Sequence, residues 1–140
     1  MEPRYQCVAL GPVWSWRLLG ANHRELARSA ARFGSFEEAA VDAVTTAAQA
    51  SSAVIEIALG RGATWRWVMT VEGVHRAGST VGYARRLECA RAVDRFRQSA
   101  PAAAVSPTPL VHRRRGARAR PAAPESWRDD PFLPRPPQPR

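Results

Sequence analysis

The sequence predicts an α+β fold: two tandem strand–strand–strand–helix repeats that share one antiparallel sheet, helices on one face, then a disordered basic tail. Three observations predict it. Trp14-Ser15-Trp16-Arg17 recurs as Trp65-Arg66-Trp67-Val68, with matching landmarks before and after it. In each copy the apolar period changes from two to that of a helix. The last 40 residues, finally, hold ten of the 12 Pro and carry 8 Arg against 3 acids, whereas residues 1–100 carry 13 Arg against 9.

The repeat is read first. Val8-Ala9-Leu10-Gly11 answers Ile57-Ala58-Leu59-Gly60, and Phe33 answers Tyr83, so the copies run over 4–50 and 53–99 with the tail from 101 to 140. Tyr5 to Leu10 and Val54 to Leu59 are β-prone runs. Gly11-Pro12 and Gly60-Arg61-Gly62 then read as hairpin connections. Trp14, Trp16 and Leu18 share one side of the next strand, as do Trp65, Trp67, Met69 and Val71. Turns at Ala21-Asn22-His23 and Glu72-Gly73 lead to third strands at about Glu25–Ala31 and Val74–Val81.

Ser35-Phe36-Glu37-Glu38 opens a helix as a capping box, Ser35 the N-cap and Glu38 reaching back to its N–H. The apolar stripe is expected at Phe36, Ala39, Ala40, Ala43, Val44 and Ala47. In the second copy it is expected at Leu87, Ala90, Val93 and Phe96, flanked by Cys89 and Ala92 and faced by Arg85, Arg86, Arg91, Arg95 and Arg97. One unit of ~50 residues is marginal alone, so the two are expected to share a sheet. Their four Trp, each burying ~150–250 Å², are expected to supply much of the core.

The ordered set Trp14 to His23, Leu26 to Phe33, and Trp65 through Tyr83 to Val93 resembles the YegP-like family of small uncharacterised tandem-repeat proteins. The resemblance covers about residues 4–99. It implies an α+β fold in which two repeats, or two subunits, build one antiparallel sheet, and it brings no catalytic residues. This chain departs from the pattern in having no Lys, in Glu72-Gly73 where Asn-Gly is usual, and in its tail.

For function, the net charge of +9 favours polyanionic partners. His112 to Arg120 packs Arg113, Arg114, Arg115, Arg118 and Arg120 into nine residues, the expected polyanion (nucleic-acid) site. Arg17, Arg24, Arg66 and Arg76 are expected on the sheet face away from the helices or in the turns. Trp127, Phe132 and Leu133 offer a short protein-docking motif, and Pro134 to Pro137 a polyproline core. The spacing of Cys7 and Cys89 fits no zinc motif, and Cys89 reads as a small core residue. His23 and His75 fall at matching turns, without a carboxylate placed to complete a metal site. No cofactor motif is present. The start MEPRYQ lacks a signal-peptide core, and no run approaches the ~20 apolar residues of a membrane span, so a cytoplasmic, membrane-free protein is expected, monomer or homodimer. The leading expectation is a non-enzymatic binding module whose tail contacts polyanions. The alternatives are a structural protein self-associating through a sheet edge and, more remotely, an enzyme using the His23 and His75 turns.

Overall fold

Alternating side chains and left-handed turn residues make two three-stranded antiparallel meanders. A computed structural model describes residues 2–111. The first meander is β1 (Arg4–Leu10), β2 (Val13–Leu19) and β3 (Glu25–Ser29), followed by α1 (Phe36–Gln49). The second is β4 (Val54–Leu59), β5 (Trp65–Val71) and β6 (Val74–Gly78), followed by α2 (Arg86–Ser99). Gly11 takes φ +65 in the β1–β2 turn, where Pro12 follows with its fixed backbone. Glu72 and Gly73 both take positive φ, +52 and +78, between the paired Val71 and Val74. A two-residue hairpin of this kind favours Asn at the place Glu72 occupies.

The meanders join through β3 and β6, which pair antiparallel at Arg28↔Gly78 and Ser29↔Ala77. The order across the sheet is therefore β4-β5-β6-β3-β2-β1, with the junction at the centre. Matching irregularities recur in both halves: a register shift at Leu18/Leu19 and another at Met69/Thr70. The third strands are shorter than the sequence suggests. The chain leaves the ladder after Ser29 and Gly78, then returns so that Phe33 and Tyr83 bridge to Trp14 and Trp65 through paired backbone bonds of 2.7–2.8 Å.

The first residues of the expected tail belong to the fold. After α2 the chain forms β7 (Ala104–Val105) and β8 (Leu110–Val111), both parallel to β1. The sheet is thus mixed rather than purely antiparallel. Ser106 N–H donates to Tyr5 O at 2.8 Å, and the Tyr5 hydroxyl donates to Ala100 O at 2.9 Å, which ties this segment to β1. Residues 112–140, with the Arg cluster, Trp127, Phe132, Leu133 and Pro134 to Pro137, lie outside the described residues.

Both helices cover the side of the sheet that carries the indoles. Trp16, Trp67, Tyr5, Leu18 and Met69 of the sheet and Phe96 of α2 are the largest fully buried side chains among the described residues, and Trp14 and Trp65 pack against them half-buried. Tyr5 meets Trp16 edge-on with centroids 5.2 Å apart, and Trp67 packs on Phe96 at 4.7 Å. The helix stripes differ in phase from the expected ones. Buried α1 positions are Ala39, Ala43 and Thr46, while Val44 is exposed; buried α2 positions are Cys89, Ala92, Val93 and Phe96, while Leu87 is exposed. Leu87, Ala90, Val93 and Phe96 form an i+3 series that precesses about 60° per step, so its first member ends opposite its last. The capping box is also displaced by one residue. Ser35 Oγ accepts from Glu38 N–H at 3.2 Å, but the Glu38 carboxylate accepts from Gly34 N–H at 2.9 Å, not from Ser35.

Candidate polyanion-binding face

Because side chains alternate along a strand, placing Trp16 and Trp67 under the helices sends their neighbours to the other face. Arg17 pairs in register with Gln6 on β1 and with Arg28 on β3; Arg28 pairs with Gly78 on β6; Arg66 pairs with Ala58 on β4. Arg4, registered beside Leu19, lies on the same face. Among the described residues no helix covers it. Two arginines directly opposite each other, Arg17 and Arg28, are an unfavourable cross-strand pair unless anions stand near.

Polar neighbours hold these cations in place. Gln6 Oε1 accepts from Arg17 Nε at 3.0 Å and from its Nη2 at 2.7 Å. The Arg28 side chain, 23% exposed, lies 3.9 Å from Glu25 and donates to Thr80 O at 3.5 Å. Burial pushes the Arg28 guanidinium below its ordinary value; Glu25 pulls it back up, and Arg66 adds to the depression. Arg28 stands opposite a residue with no side chain, Gly78, and Val68 follows on β5 in the same row.

The other expected positions separate. Arg76 is not on this face: the register shift at Met69/Thr70 turns it toward the helices, where its Nη1 donates to Asp42 Oδ1 at 2.9 Å. Asp42 also accepts from Trp16 Nε1 at 2.7 Å, so one carboxylate of α1 links an indole of the first meander to a cation of the second. Sequence reading missed Asp42. Its signal was a lone acid in an otherwise Ala- and Val-rich stretch of helix. Arg24 lies in the β2–β3 turn, its N–H accepted by Asn22 Oδ1 at 3.1 Å.

His23 sits in that turn at φ +64, with Nδ1 3.3 Å from Arg4 Nη2. His75 does not occupy a matching turn; it lies within β6, paired with Thr70. The two are therefore not equivalent. Among the described residues no group of three or more His, Cys, Asp or Glu could hold a metal ion. Cys7 and Cys89 are buried and free, and burial raises both thiols, Cys89 to about 11 with Arg86 pulling the other way. Among these residues, too, no helix is long and apolar enough to cross a membrane.

No family model matches the chain, and no curated protein does. Two solved structures are similar to it. The solution structure of YegP from E. coli, a protein of unknown function, has 12% identity and a TM-score of 0.59, covering 75% of this chain and 91% of YegP. A UPF0339 protein from Shewanella oneidensis has 9% identity and a TM-score of 0.62, covering 75% of this chain and 90% of its own. At such identities the likeness is one of backbone architecture. The chain has the YegP-like fold.

Proposed function

We propose that this protein is a small polyanion-binding module, with nucleic acid as the partner class, that uses the sheet face opposite the two helices together with the arginine cluster at 113–120. The observation that carries the reading is the register of Arg17 against Arg28, with Arg66 close enough to depress Arg28. Repulsion within this group is relieved when phosphates come between the guanidiniums, and Arg presents the forked donors that phosphate oxygens accept. Arg113, Arg114, Arg115, Arg118 and Arg120 add five positive charges to the chain.

Binding of the full chain to single- and double-stranded nucleic acid, measured across a salt series, tests this. Each phosphate neutralised on a duplex contributes about −0.9 to the slope of log affinity against log salt. Changing the five cluster arginines to Gln is therefore expected to flatten the slope by about 4.5, and Arg17→Gln with Arg66→Gln by about 1.8. Affinity and slope unchanged in both variants would reject the proposal. Loss in only the cluster variant would confine the site to the arginine cluster. Substitution is preferable to truncation after Ala100, which would strip β7 and β8 from the sheet.

A further inference from the structure

The two edges of the sheet are treated differently by the fold. The β1 edge is closed by β7 and β8, whereas β4 has β5 on one side and no strand on the other among the described residues. β4 carries few of the usual protections of an edge. It has six residues paired one to one with β5, no bulge, no Pro and no cation. Its single charge is Glu56. Val54 and Leu59 are 62% and 55% exposed. Every second residue of such a strand directs a backbone N–H and C=O outward, groups that a further strand would satisfy.

We propose that β4 pairs antiparallel with β4 of a second copy, about a two-fold axis at Ile57, to give one continuous sheet across a homodimer. The register follows from the sequence of the strand. Keeping the helices of both copies on one side requires a residue of β4 to sit on the axis, because directly opposed residues share a face. An axis at Glu56 would set two carboxylates against each other. An axis at Ile57 sets Ile57 against Ile57 and Ile55 against Leu59 twice, covering the exposed leucine with apolar partners. It also places each Glu56 opposite Ala58 of the other copy. Arg66 stands beside Ala58 on β5, which supplies a charge of opposite sign next to the incoming carboxylate. The C-terminal segment is a poorer occupant. Seven of residues 112–140 are Pro, which cannot donate to a ladder. The dimer would also present the arginine faces of both copies on one side, although the pairing does not depend on their binding anything.

Sedimentation of the full chain over micromolar to high-micromolar concentration tests the proposal, and circular dichroism of each variant verifies folding. A dimer mass is expected. Leu59→Arg, at an already exposed position, is expected to raise the dimer dissociation constant at least tenfold. Ala58→Lys and Ala58→Glu test the register: Lys faces the partner's Glu56 and Glu repels it. Their dissociation constants are expected to differ by roughly tenfold or more, Lys the tighter, since two such cross-strand pairs form per dimer. A monomer at every concentration would overturn the proposal. So would a dimer that Leu59→Arg leaves intact, or equal effects of the two Ala58 variants.

Discussion

Asp42→Ala is the most informative perturbation of the fold, because one side chain links both meanders. Its carboxylate is 10% exposed and accepts from buried Trp16 Nε1 at 2.7 Å and from Arg76, whose side chain is 32% exposed, at 2.9 Å. The indole bond to a charged acceptor is worth about 1.5–3 kcal/mol. The arginine pair, partly wet and screened, adds about 0–1 kcal/mol. Replacing Asp by Ala within a helix returns about 0.5 kcal/mol through propensity. The net expectation is a loss of about 1–3.5 kcal/mol, or a fall in Tm of roughly 5–20 °C for a domain of this size. Urea unfolding of the full chain, followed by circular dichroism, reads this as a lower midpoint at unchanged slope. A double-mutant cycle with Trp16→Phe isolates the indole bond, with an expected coupling of about 1 kcal/mol or more. A loss below about 0.5 kcal/mol, or a coupling near zero, would refute the reasoning. The second half of the molecule supplies a natural comparison. Ala92 occupies the position on α2 that Asp42 holds on α1, and Trp67 Nε1 is buried with no acceptor. An acid there would also have no cation to meet, since Leu26 stands where Arg76 does in the other meander.

Other consequences are more local. Ser35→Ala removes the acceptor for Glu38 N–H and should cost about 1 kcal/mol in the same unfolding assay, whereas an unchanged midpoint would show the cap to be idle. A Cβ at Gly82 would come within 2.5–2.6 Å of Thr64 Oγ1 and Cβ, so Gly82→Ala should destabilise by about 1–3 kcal/mol; Gly82→Ala with Thr64→Gly, which removes both atoms, should recover part of it. The Cys89 thiol is raised by burial to about 11 from an ordinary value of 9.0. Above pH 9 the unfolded chain therefore binds fewer protons than the folded one, and stability should fall as pH climbs to 11. Cys89→Ala should flatten that decline, and an identical decline in the variant would exclude Cys89 as a source. The remaining slope is expected from Tyr5, Cys7 and Tyr83, all raised by burial.

How far the sequence could be read depended on the range of the interactions. Period-two Trp pairs, left-handed turn residues and the Ser35 cap are encoded within ten residues or fewer, and the structure places each where the pattern does. Helix phase was harder. Ala-rich helices offer several near-equivalent stripes, and only contact with the sheet selects Cys89, Ala92, Val93 and Phe96 over a series that begins at Leu87. The candidate face was half legible. Arg17 and Arg66 follow from alternation with the indoles, but Arg28 needed the pairing of β3. Arg76 was lost because a register shift, invisible in composition, reverses its side.

By itself the sequence determined two copies of a three-stranded meander and a helix, a tryptophan-rich core and a strongly cationic chain, because local periodicity and charge need no knowledge of distant partners. Tertiary structure alone decided that the meanders join at β3 and β6, that Asp42 bridges Trp16 and Arg76, and that residues 104–111 close the β1 edge while no strand among the described residues covers β4. Those outcomes rest on strand pairings between segments far apart in the chain. Many registers satisfy such pairings locally, and only simultaneous burial of both tryptophan faces beneath the two helices selects one.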